Sequence, residues 1–193
     1  ERHVHVMRFP VIPGGAGVTG QMLRRHFESS GHEVTVLTRT PRGPGEVAWD
    51  GRQLSEWRSA IEGADVVVNL AGRSVNCRYA KENLRKMMDS RVDSTRAIGE
   101  AIVSCGSPPR VWLNASTATI YAHTFDRDND EETGVIGGSE PDVPRYWDYS
   151  IAIARAWEAT LFESATPRTR KVAMRSAMTM STVPGSVFTV FVR

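Results

Sequence analysis

The 193-residue sequence is poor in cysteine, in long apolar runs and in net charge of either sign. Its two cysteines, Cys77 and Cys105, lack metal-ligand spacing and make no disulfide framework. No run approaches the roughly 20 apolar residues that a membrane-spanning helix needs. The first residues carry no apolar signal-peptide core, so a cytoplasmic setting is expected, away from membranes. A net charge of +2 and a short basic pair, Arg24-Arg25, exclude a dedicated nucleic-acid binder. Asp126, Asp128 and Asp130 imitate the start of a calcium loop. Glu131 and Gly137 stand where that loop needs Gly and Glu, so the segment reads as a solvated acidic loop. His3 and His5 share a strand face without a third ligand, and no metal site is expected.

What is present is a normal globular composition, 40% hydrophobic and 24% charged, at a length suited to one core. The most informative stretch is Gly14-Gly15-Ala16-Gly17-Val18-Thr19-Gly20, after an apolar N-terminal run. A glycine-rich turn between a strand and a helix lets bare backbone approach a pyrophosphate. It also aims the first helical N–H groups and the positive end of the helix dipole at negative charge. A nucleotide ligand is the leading expectation, and the rest of the chain must supply the context.

That context is an alternation of strands and helices. Strands are expected at Val4–Ile12, Glu33–Thr38, Val47–Trp49, Asp65–Leu70, Arg110–Ala115 and Lys171–Arg175. Helices are expected at Thr19–Ser30, with Met22, Leu23 and Phe27 on one side, at Leu54–Ile61, from about Ala80 to Ser104, and at Tyr146–Phe162. In the last of these, Tyr149, Ile153, Trp157 and Leu161 form one apolar stripe. A polar loop fills 122–144. Regular βαβ alternation implies a doubly wound parallel α/β sheet. Pro10 and Pro13 fit a central strand poorly, so strand one is expected to end near Phe9 or to be irregular.

Five ordered motifs carry a resemblance. They are the glycine turn; Asn69-Leu70-Ala71-Gly72; Ser90-Arg91-Val92 with Thr95; Asn114 to Tyr121; and Trp157-Glu158-Ala159. Together they resemble the extended or atypical short-chain dehydrogenases/reductases, in particular the epimerase-like branch known as nucleoside-diphosphate-sugar epimerases. The similarity runs over nearly the whole chain. It implies a Rossmann domain over residues 1–180 binding a nicotinamide dinucleotide, and a small-molecule substrate such as a sugar nucleotide or carbonyl compound. Members of that family run on for roughly another 100 residues, which build much of the substrate lobe. Residues 181–193, including Pro184-Gly185, are therefore expected to begin an incomplete lobe, with Val187–Val192 exposing apolar surface. A homo-oligomer is compatible with these features.

The resemblance also implies roles. Gly14 permits the tight turn, Gly17 the pyrophosphate approach and Gly20 helix–strand packing, with Val18 beside them. Thr19 bonds the phosphate or caps the helix. Arg39, at the end of strand two with no acid before Glu46, favours NADP over NAD, unless it is an ordinary loop arginine. Asp50 contacts adenine or forms a turn, or does both. Leu70, Ala71 and Gly72 line the adenosine and ribose side.

The catalytic hydroxyl falls on Ser116 or, counted from Ile120-Tyr121, on Thr117. The superfamily's Tyr-x-x-x-Lys pair is missing. Ser150 and Ile153 follow Tyr146 and Tyr149 by four residues, and counting back from Trp157-Glu158 puts the superfamily's Lys at about Ala154. A lysine there would lower the tyrosine pKa from about 10. Tyr149 is left as a catalytic candidate or a core residue. Arg91, where sugar epimerases often carry Asn, is either a substrate-facing cation or a helix-surface residue. Two functions follow: an NADP-dependent reductase or epimerase, or a dinucleotide-binding protein with little turnover.

Overall fold

The computed structural model describes residues 9–141, 143–182 and 186–192. The outer part of the expected first strand, with His3 and His5, and the Pro184-Gly185 turn lie outside the described residues. Six strands form one parallel sheet: β1 (Pro10–Pro13), β2 (Thr35–Thr38), β3 (Glu46–Ala48), β4 (Val66–Asn69), β5 (Val111–Thr117) and β6 (Arg170–Ser176). Their order is β3-β2-β1-β4-β5-β6, the doubly wound Rossmann order. The helices are α1 (Val18–Ser29), α2 (Lys81–Val103), α3 (Arg145–Glu163) and the short α4 (Val187–Phe191).

Period-two alternation sorts the strand residues between two cores. On one face Val11, Leu37, Val67 and Trp112 pack with Ala97, Ile98 and Ile102 of α2 and Leu161 of α3. On the other, Ile12, Val36, Val66 and Val68 pack with Leu23 and Phe27 of α1. β4 is buried at every position, as its apolar run requires in a central parallel strand.

Four local expectations need correction. Strand one neither ends at Phe9 nor is broken: Pro10 and Pro13 frame it. Their missing donors fall at its two ends, and the Pro13 carbonyl still accepts the Leu70 N–H at 2.8 Å. The expected helix Leu54–Ile61 is only a 3-10 turn, Glu56–Ala60, anchored by buried Trp57, whose indole donates to the Gln53 carbonyl at 2.8 Å. That segment is too short to sustain α-helical bonding by itself. Met22 is exposed, because the 23/27 stripe faces the sheet and residue 22 is a hundred degrees off it. In α3, Ile153, Trp157 and Leu161 are buried, whereas Tyr149 is only partly so.

Among the described residues no helix is long and apolar enough to cross a membrane. Leu161 is fully buried between α3 and the sheet. Leu161→Ala should cost about 3 kcal/mol of stability, read as a lower urea midpoint at unchanged m-value.

Candidate functional site

In this strand order the chain reverses direction across the sheet between β1 and β4, and ligands of such folds bind outside the carboxyl ends of the strands at that point. Both glycine-bearing loops open there. Gly14 has φ +75°, and a Cβ on it would lie 2.7 Å from the Ala71 Cα and N. Only glycine fits a left-handed position pressed against another backbone. Gly20 is equally constrained, since a Cβ there would lie 2.4 Å from the Gly15 Cα, so α1 starts directly against the turn.

Gly17 is different. A Cβ on it would meet nothing closer than the Gly14 carbonyl at 3.7 Å, and its φ is −75°. No internal packing demands glycine at 17. It is also the N-cap of α1 and offers no side-chain acceptor to the first N–H groups. Val18 is half-exposed and Thr19 partly buried in the first turn; neither caps the helix. The turn therefore presents uncapped amides and an open backbone surface, which fits a phosphate-bearing cofactor.

Arg39 is exposed beyond β2 and, among the described residues, makes no hydrogen bond or ion pair. The next acid along the chain, Glu46, is already engaged by the Arg24 guanidinium at 2.9 Å and the Arg42 amide at 2.8 Å. Asp50 closes a turn, accepting the Gln53 and Arg52 amides at 3.0 and 2.8 Å, and these bonds hold its carboxyl below the ordinary range. Leu70, Ala71 and Gly72 form the rim after β4.

Beneath that rim lies a buried polar cluster that neither periodicity nor motif reading revealed. The Asn69 amide donates to the Asn114 Oδ1 (2.7 Å) and the Thr95 Oγ1 (3.3 Å). The Trp157 indole donates to the same Thr95 oxygen at 2.9 Å, and the Asn69 Oδ1 accepts the Ala71 N–H at 3.0 Å. β4, β5, α2 and α3 are thereby joined directly under the loop that faces Gly14.

At the end of β5 the two candidate hydroxyls diverge. Ser116 is buried and donates to the Glu158 Oε1 at 2.5 Å. Arg175 of β6 grips Glu158 with two bonds of 2.9 and 2.8 Å, donates to the Tyr121 hydroxyl at 2.9 Å and lies over the Tyr121 ring. Thr117 is partly exposed, accepts the Thr119 amide at 3.2 Å and donates to the Thr119 hydroxyl at 2.9 Å. Thr119 in turn lines a cavity of about 500 Å3, with Tyr121, His123, Trp147, Arg175 and Met178. Burial, together with the Asp89 carboxylate, pushes the Tyr149 phenol up, the direction opposite to activation as a base. Ala154, where the superfamily's lysine would fall, is fully buried. Among the described residues no group of His, Cys, Asp and Glu could hold a metal ion.

Burial raises the pKa of Glu158, but Arg175 and Ser116 outweigh it and hold the carboxyl below its ordinary 4.5. A carboxyl depressed in the folded state contributes stability above its unfolded pKa and loses it as pH falls through the folded one. Stability should therefore drop as pH is lowered below about 4.5. Glu158→Gln should be destabilised by about 3 kcal/mol at neutral pH and show a flatter acid limb in denaturation curves.

Residues 11–151 match the NAD dependent epimerase/dehydratase family. The chain is 29% identical over 180 residues to the mouse epimerase family protein SDR39U1, covering 92% of this chain and 56% of that protein. It is 28% identical over 184 residues to the epimerase family protein SSP1921 of Staphylococcus saprophyticus, covering 94% and 58%. The chain thus spans little more than half the length of these relatives. Among solved structures, human SDR39U1 (isoform 2) with NADPH superposes at a TM-score of 0.79 and 26% identity, over 95% of this chain and 58% of that one. The nucleoside-diphosphate sugar epimerase of Corynebacterium glutamicum shares the fold at a TM-score of 0.74 and 24% identity, over 95% and 36%. With the family match spanning most of its length, the chain belongs to the NAD dependent epimerase/dehydratase family.

Proposed function

We propose that the chain binds a nicotinamide dinucleotide at the carboxyl end of β1 and β4, with NADP(H) preferred to NAD(H). The observation that carries this reading is Gly17, bare without an internal steric reason, at the uncapped start of α1. Gly14, Gly17, Val18, Thr19 and Gly20 would hold the pyrophosphate, and Leu70, Ala71 and Gly72 the adenosine and ribose side. Asp50 would reach adenine with the carboxylate oxygen that its turn leaves free. Arg39, exposed and unneutralised, would take the 2′-phosphate. The NADPH in the human SDR39U1 structure supports the same choice.

The activity proposed is that of an oxidoreductase or epimerase acting on a sugar nucleotide or a small carbonyl compound. Bound dinucleotide would supply hydride-transfer chemistry. Of the candidate hydroxyls, Thr117 is the partly exposed one, bonded to Thr119, which lines the 500 Å3 cavity. Ser116, fixed by Glu158, would position the strand end that carries it. Residues 1–180 form the dinucleotide domain in this reading. Residues 181–193 would begin the substrate lobe, supported by Phe188 and Phe191, exposed on α4. A second reading, dinucleotide binding with little turnover, draws on Tyr149, whose phenol is pushed up with no lysine to oppose it.

Titration with NADPH and NADH, followed by fluorescence, tests the proposal. NADPH should bind more tightly, by about tenfold, and Arg39→Asp should abolish the difference. Equal affinities in the wild type would remove the phosphate role of Arg39. Gly17→Ala should cost under about 1 kcal/mol of stability yet weaken NADPH binding by about tenfold. Unchanged NADPH affinity in that variant contradicts the pyrophosphate site.

A further inference from the structure

Arg91, on α2, has chemistry that the fold itself does not use. Its guanidinium lies beside the rim after β4, so that a Cβ on Gly72 would sit 3.4 Å from the Arg91 Cζ. Gly72 directly follows Ala71, the residue that Gly14 abuts. The cation therefore stands two contacts along the backbone from the glycine turn.

The guanidinium stacks over the Trp157 ring at 5.1 Å. Among the described residues its one hydrogen bond runs from Nη1 to the Met87 carbonyl at 3.0 Å, and no carboxylate pairs with it. A guanidinium carries five N–H donors, so most of them are unspent. Burial pushes this group below its ordinary pKa, with only the Tyr79 oxygen acting the other way. A half-buried cation without a counter-ion is costly unless an anion joins it. Arg175 is neutralised by Glu158, Arg39 is exposed, and Arg73, next to Gly72, is exposed and donates to the Asn83 Oδ1 at 3.1 Å.

We propose that Arg91 binds a phosphoryl oxygen of a ligand seated between the glycine turn and the β4 rim. Trp157 and the Met87 carbonyl hold its planar fork in place. The inference rests on the dinucleotide reading for the location of that ligand. The oxygen belongs either to the diphosphate of the dinucleotide or to a nucleoside-diphosphate substrate.

Binding of NADPH, and of UDP to the NADPH-saturated chain, separates the two in wild type, Arg91→Met and Arg91→Lys. Arg91→Met keeps an unbranched stem on Trp157 and removes the charge. If the dinucleotide supplies the oxygen, Arg91→Met weakens NADPH binding by about tenfold or more, and Arg91→Lys restores much of it. If the substrate supplies it, NADPH affinity holds and UDP affinity falls instead. Unchanged affinity for both ligands, at a wild-type melting temperature, overturns the proposal. The Nε–H NMR signal of Arg91 in the wild type does not depend on how any variant folds. It should shift with one of the two ligands, and a signal unmoved by both likewise overturns the proposal. Wild-type NADPH binding alongside these negative results leaves the dinucleotide reading intact. A wild type that binds neither ligand removes both.

Discussion

The buried hydrogen-bond cluster of Asn69, Thr95, Asn114 and Trp157 is the constraint on which the site depends. Asn69 and Asn114 are register partners on β4 and β5, so the sheet itself brings them together. Thr95 and Trp157 arrive from α2 and α3 and complete the set. All four are buried, and removing Asn69 would orphan the Ala71 amide and removing Thr95 the Trp157 indole, at about 1–3 kcal/mol per orphaned group. The cluster thus fixes two helices against two strands. Through the Asn69 Oδ1 it also fixes the Ala71 amide, and so the rim against which Gly14 is pressed.

A second polar assembly does the same for the other end of the crevice. Ser116, Glu158, Arg175 and Tyr121 link β5, α3, β6 and the turn after β5. Glu158 is accommodated in the interior because a two-pronged arginine and a hydroxyl satisfy both of its oxygens. Neighbours in sequence part here: Ser116 is buried and bonded to Glu158, while Thr117, on the opposite face of the pleated strand, is partly exposed and bonded to Thr119.

Much of the fold was legible because it is written in local pattern. The apolar run of β4, the β-branched β2 and the long amphipathic α2 carry their own signals, and the alternation of elements gives a parallel sheet. The glycine turn was legible for the same reason. What failed did so where a local rule met a tertiary one. Prolines are tolerated in β1 because they sit at its ends, and the 54–61 segment stops at a 3-10 turn around Trp57. The polar clusters were illegible because their partners are far apart in the chain, 45 residues for Asn69 and Asn114 and 62 for Thr95 and Trp157. Asn69, Thr95, Asn114 and Trp157 were visible only as motif letters. Arg39 shows the opposite case: its position was readable, but an exposed side chain takes its partner from outside the fold.

Trp157 belongs to two structures at once. Its indole N–H is tied to Thr95 in the interior, while its ring face carries the Arg91 guanidinium at the rim. With the N–H held inside, the ring presents a fixed face to that cation. A positive charge at the rim therefore takes its position from a hydrogen bond made in the interior.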